Sequence, residues 1–234
     1  MHLRSLCVAA VLAMAAPAAA GTVSGKLELP PGPPERPPVR GKAFVDRTPN
    51  PLTPVRPVDP LPSIIIALEP APTTQYTPPP PAAVIWDLLG ESFTRPVFPV
   101  RVGGEVLIRN KGRSSPVLVA AGQPQLLVRK PLNPTAELLF IPGTAPGPVE
   151  IVDETSPHLR GRLVVMPSPF FAVPNARGEF EVPAVPPGEW VIKVWYDTGW
   201  LDRPDERITV PAGDKKTEVT LKLPARWPIK AGRE

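Results

Sequence analysis

The chain has 234 residues, a formal net charge of +4, and 39 Pro beside 17 Gly, so close to a quarter of it is Pro or Gly. A Pro inside a helix costs about 3 kcal/mol, and one residue in six here is Pro, with no Pro-free run longer than sixteen residues, which argues against a helical protein. With 42% hydrophobic residues, wholesale disorder is excluded too, leaving β-structure with Pro at turns and edges plus extended coil.

The first twenty residues, MHLRSLCVAAVLAMAAPAAA, place a basic Arg4 before an apolar run from Leu6 to Ala16, with small Ala18 and Ala20 ahead of Gly21. That pattern predicts a Sec signal peptide cleaved after Ala20 and a periplasmic or secreted mature protein. The run is too short to anchor, and no later segment approaches eighteen apolar residues, so no transmembrane segment is expected after cleavage. Cys7 is the one Cys in the chain and would leave with the leader, so disulfides and thiolate ligands are not expected. Loss of Arg4 would take the net charge from +4 to +3. The charges are interspersed with no basic stripe, which argues against a nucleic-acid partner.

After the leader, TVSGKLEL (22–29) alternates as a strand should, and 18 Pro then fall between residues 30 and 81, predicting polyproline spacers or surface loops. Within that region SIIIAL (63–68) reads as a strand, and GKAFVD (41–46) as a weaker one. From residue 83 to 166 the Pro density falls and short apolar runs recur. Strands are expected at 84–86, 97–102, 105–109, 117–120, 126–129, 137–141, 149–152 and 162–166, separated by turns at Gly103-Gly104, Asn110-Lys111-Gly112 and Pro142-Gly143. Seven or eight strands at that spacing argue a β-sandwich. Further on, FFAVPNARGEFEV reads as a hairpin turning at Gly178, and Pro187-Gly188 as a type II turn into WVIKVWYD. Strands at 207–210 and 217–223 follow, and a loose polar tail closes the chain from Pro224.

Two resemblances rest on these segments. FPVRVGGEVLIRNKGRSSPVLVA (98–120) and IVDETSPHLRGRLVV (151–165) are similar to the opening strands and the copper-loop end of cupredoxins. GTVSGKLEL (21–29) with SIIIALEP, and NARGEFEVPAVPPGEWVIKVWYD (175–197), resemble the two halves of the carboxypeptidase regulatory-like, prealbumin-like sandwich. Together they resemble bacterial exported proteins labelled methylamine-utilisation or plastocyanin-like. The resemblance implies an all-β chain of two small sandwiches, the cupredoxin-like Greek key being inserted in the regulatory-like one. The implied division is a signal peptide over 1–20, a first regulatory-like half over 21–70, and a Pro-rich linker over 71–82. The cupredoxin-like sandwich follows over 83–167, then the second regulatory-like half over 168–224 and a tail over 225–234.

A blue-copper site needs two imidazoles and a thiolate, usually with a thioether. Aligned on Gly161, the family's ligand positions fall on Ser114 or Ser115, Asp153, Ser156 and Leu159, none of which is a copper ligand of that type, so no metal and no cofactor is expected. His158 is the one His after the leader; it reads as an exposed loop residue, with a weak site formed by Asp153, Glu154 and His158 as the alternative. Ser156, His158 and Asp153 also suggest a hydrolytic triad, but a triad draws its members from separate elements, and Ser156 and His158 flank Pro157. An enzyme is therefore not expected.

Acidic residues gather at Asp197, Asp202, Asp205 and Glu206, interleaved with Arg203 and Arg207, a pattern that reads as a self-neutralised loop rather than a Ca²⁺ site. Trp195, Tyr196 and Trp200 either form a binding platform or cover the junction of the two sandwiches. The reading is a non-enzymatic extracytoplasmic binding or structural module for an envelope protein or polysaccharide. The alternatives are a redox or copper carrier with altered ligands, of which Met166 and His158 are the remaining donors, and a sugar-binding module using Trp195 and Trp200.

Overall fold

A computed structural model describes residues 20–30 and 59–223. The leader, the strand expected at 41–46, most of the first Pro-rich stretch and the tail lie outside the described residues. Within them the chain is all-β, with 3-10 turns at Leu61–Ser63 and Pro124–Leu126 and no α-helix.

The strands in chain order are β1 (Gly21–Glu28), β2 (Ile64–Pro70), β3 (Val84–Leu89), β4 (Ser92–Phe93), β5 (Val97–Arg101), β6 (Val106–Asn110), β7 (Leu118–Ala120) and β8 (Glu137–Phe140). Then come β9 (Gly147–Asp153), β10 (Arg160–Met166), β11 (Phe171–Ala172), β12 (Glu179–Val185), β13 (Gly188–Tyr196), β14 (Gly199–Trp200), β15 (Glu206–Val210) and β16 (Lys216–Lys222). They form four sheets. Sheet I has the order β12-β1-β16; sheet II is β11-β2-β13-β14, with β15 also on β13; sheet III is β5-β10-β9-β7; sheet IV is β4-β3-β6-β8. Strands before residue 71 and after 170 build sheets I and II, and strands 84–166 build sheets III and IV, so one pair of sheets is inserted between the strands of the other.

Burial shows how the sheets stack. Val23, Leu27, Phe180 and Val182 of sheet I meet Ile64, Ile66, Trp190 and Ile192 of sheet II in one core. Trp86, Ile108 and Phe140 of sheet IV meet Leu118, Ile151 and Leu163 of sheet III in a second. A third cluster joins the other faces of sheets II and III through Ile65, Ala67 and Trp195 against Val97, Val164 and Met166. The four layers therefore run I, II, III, IV. This order explains the sequence pattern: β2 and the second half of β10 are continuous apolar runs because both faces of those strands are covered, whereas β1 alternates because it lies in an outer layer.

Small residues permit two of the closest packings. A Cβ on Gly161 of β10 would lie 2.5 Å from the Trp86 ring, which stacks on Phe93 with centroids 3.9 Å apart. A Cβ on Gly25 of β1 would lie 2.2 Å from the Val219 carbonyl oxygen and 2.7 Å from Phe180.

Three local expectations are corrected. Residues 126–129 are not a strand: Pro124 and Pro131 bracket the segment and remove ladder donors, and the chain makes a 3-10 turn at Pro124–Leu126 and then continues in irregular form, burying Leu127 and exposing Val128. FFAVPNARGEFEV does turn at Gly178, with φ +77°, where the Gly178 N–H donates to the Asn175 carbonyl at 2.9 Å. Its arms are not a hairpin, however, because β11 pairs with β2 and β12 with β1. Phe170, just before β11, and Phe180 of β12 meet in the first core from opposite sheets, while Phe171 of β11 faces the junction. Pro187-Gly188 carries the chain from β12 in sheet I to β13 in sheet II, but as an open bend, with Gly188 at φ +143° instead of the roughly +80° of a type II turn.

Candidate functional site

The loop end of the inserted sandwich is built by two buried polar side chains. Asn110, at the end of β6, is 1% exposed. Its Nδ2 donates to the carbonyls of Ser114 at 2.8 Å and Leu132 at 2.7 Å, while its Oδ1 accepts the Gly112 N–H at 2.8 Å. Asp153, at the end of β9, is 4% exposed; its Oδ1 accepts the Val117 N–H at 2.9 Å and its Oδ2 the Thr155 hydroxyl at 2.9 Å. Burial by itself would raise the Asp153 carboxyl. The hydrogen bonds from the Thr155 hydroxyl and from the backbone of Val117, Thr155 and Ser156 outweigh it and hold the group below the usual carboxylate range.

The aligned copper positions thus perform other tasks. Asp153 ties two loops together, Leu159 is 2% exposed in the sandwich core, Ser156 is half-buried, and Ser114 and Ser115 are exposed. The alternative site is not assembled, since its three members go to separate partners: His158 Nε2 lies 2.9 Å from Glu91 Oε2, and Arg129 Nε donates to Glu154 at 2.8 Å. His158 faces Glu91 and not Asp153, so Ser156, His158 and Asp153 form no relay. Among the described residues no three His, Cys, Asp or Glu side chains gather as a metal-binding group. Met166 is buried in the junction between sheets II and III.

The aromatic residues near the C-terminus do not share a surface. Trp195 is 4% exposed and packs in the junction, with Trp200 edge-to-face against it at 5.3 Å. Tyr196 lies on the opposite face of β13, against the first core. A platform would need Trp195 open to solvent; its indole instead donates to the Asp197 carbonyl at 3.1 Å. The acidic loop is neutralised partly from within, by Arg203 donating to Glu206, and partly by Arg162 of β10 donating to Asp197, each at 2.6 Å.

The outer face of sheet IV is the surface that sequence reasoning missed. In an outer layer this face should be polar, as it is on sheet I, where Lys26, Lys216, Glu181 and Glu218 line a groove of about 630 Å³. On sheet IV the register instead places Ile85, Leu107 and Leu139 in one row across β3, β6 and β8. Ile85 is 48% and Leu139 56% exposed, and Ile141 just past β8 is 50% exposed. The next row is charged: Arg109 donates to both Asp87 oxygens at 2.7 and 3.1 Å, Lys111 Nζ lies 2.8 Å from the same carboxylate, and Glu137 stands opposite Arg109. The hydrogen bonds from Arg109 and Lys111 lower Asp87 to about 2. The signal was present in VIWDLL and ELLF, where the outward positions carry Ile85, Leu89 and Leu139 beside Asp87 and Glu137, but the register that aligns them into a row is not readable from spacing.

Compared with known proteins, the chain matches no family model and no curated sequence. Among the described residues no helix is long and apolar enough to cross a membrane.

Proposed function

We propose that this protein is a non-enzymatic binding module of the cell envelope, exported by the leader pattern of residues 1–20, that engages an envelope protein through the outer face of sheet IV. The observation that carries this reading is the aliphatic row of exposed Ile85 and Leu139 flanking half-buried Leu107, on an outer layer where a free-standing sandwich would present polar groups. A flat aliphatic row edged by fixed charges suits a protein surface better than a polysaccharide, which calls for aromatic platforms. The separate partners of Asp153, Glu154 and His158 support a role without metal chemistry, and the cupredoxin and regulatory-like resemblances fit a pair of sandwiches used as scaffold.

The test is photocrosslinking in the producing cells from a benzophenone side chain at position 139, with position 220 on sheet I as control. A discrete adduct from 139 alone supports a docking face. Equal, diffuse labelling from both positions, or none from 139, would overturn the reading.

A further inference from the structure

We infer that the protein docked on sheet IV is a second copy of this chain, related by a twofold axis lying along the Ile85–Leu107–Leu139 row. The inference rests on the reading of that face as a docking surface and adds its occupant. Two sheets packed face to face with strands nearly aligned leave two choices for an in-plane twofold axis through Leu107. An axis along β6 sets Arg109 against Arg109 of the other copy and Glu105 against its Glu105, while Asp87 meets Glu137. Each of those contacts joins like charges. An axis across the strands, along the apolar row, keeps each strand above its counterpart and exchanges positions before the row with positions after it.

In that second arrangement each side chain of the row meets its own copy. Glu105, two residues before Leu107, then comes opposite Arg109, two residues after it, and the pairing occurs twice. Strand alternation puts Glu105 and Arg109 on the same side as Leu107. Glu105 is exposed and forms no ion pair with any described residue, and the guanidinium of Arg109, held by Asp87 through Nε and Nη2, keeps further donors for a second carboxylate. Glu137 comes opposite Ile141 and Asp87 opposite Ala83, so the arrangement brings no like-charged pair face to face. The face is therefore self-complementary in one orientation and repulsive in the other.

The area bounds the strength. The four strands hold 17 residues, which at the usual rise and spacing cover about 270 Å² in projection, roughly a third of what each partner contributes to a standard stable interface. Association is therefore weak and concentration-dependent, its strength set by how the aliphatic row and the Glu105–Arg109 pairs pack.

Sedimentation velocity on the mature chain should show the weight-average coefficient rising from monomer toward dimer between about 1 and 200 µM. Glu105→Lys, which sets a cation against Arg109 of the other copy, and Leu107→Asp should each weaken association at least tenfold with circular dichroism unchanged. Because facing sheets lie about 10 Å apart, too far for a disulfide, Leu139→Cys should link as a dimer with a short bismaleimide, and Thr220→Cys should not. A monomer at every concentration with no linkage from position 139 overturns the second copy. If photocrosslinking at 139 in cells then captures a different chain, the docking face stands and only its occupant changes. If it captures nothing, both readings fail.

Discussion

Arg162 of the inserted sandwich donates through one nitrogen to both the carbonyl and the carboxylate of Asp197, at 3.0 and 2.6 Å, on the turn after β13 of the outer sandwich. The Asp197 carbonyl also accepts the Trp195 indole N–H, so one residue in a left-handed conformation, φ +50°, collects donors from both sides of the junction. Arg162→Ala should lower stability by about 1 kcal/mol, the modest figure reflecting an Asp197 side chain that water partly screens. Trp195→Ala, which empties the junction of its largest fully packed side chain, should cost about 3–5 kcal/mol. Urea midpoints of the two variants check the ranking, and equal losses would refute it.

Gly161→Ala places a methyl group against the Trp86 ring. The ring stacks on Phe93 and Phe98 and has little room to retreat, so a loss of about 1–3 kcal/mol is expected. Near-ultraviolet circular dichroism should change with it. An unchanged aromatic spectrum together with unchanged stability would mean that the Trp86 ring does not rest on the glycine.

Acid should weaken the inserted sandwich through two carboxylates. Both Asp153 and Asp87 have folded-state values below those of the unfolded chain, so their stabilisation is complete above the ordinary carboxylate range and is lost as pH falls through the folded values. For Asp87 the window runs from about 4 in the unfolded chain down to about 2. Asp153→Asn should reduce stability at pH 7 by about 1–3 kcal/mol and flatten the decline as pH falls below the ordinary carboxylate range. A variant that declines as steeply as the parent would remove Asp153 from the account.

Protein purified without chelator or affinity metal should carry less than about a tenth of an equivalent of copper or zinc and show no visible absorption band. Stoichiometric metal would mean that Glu154 and His158 leave their present partners to reach a shared ion, and would put metal delivery ahead of protein binding.

The layered β architecture was legible because burial on one face or two writes itself into a strand as alternation or as a continuous run. SIIIAL and RLVVM are unbroken where both faces are covered, and TVSGKLEL alternates where one is. What spacing could not supply was partnership. The turn at Gly178 was readable from Asn175 and Gly178, yet the sheets its arms join depend on which strands lie alongside, residues distant in sequence. The same limit hid the sheet IV face, since Ile85, Leu107 and Leu139 become a row only through register. Asp153 was visible as a departure from a copper ligand. Its task as a loop tie required the Val117 and Thr155 donors to be seen converging on it.

The insertion also sets an order in time. Val84 begins the inner sandwich by donating to the Glu105 carbonyl at 2.9 Å, and Met166 ends it by accepting the Val102 N–H at 3.2 Å, so its two ends straddle a single turn. Once it has folded, the hundred residues between β2 and β11 act as a short closed loop, and the entropy of joining β2 to β13 falls by about 1 kcal/mol. The inner sandwich is thus the element that folds early and presents the outer one with its partners. β1 finds its partners only in β12, about 160 residues away, and β16, nearly two hundred residues away, so sheet I is closed by the pairings of longest sequence separation, the kind that form slowly.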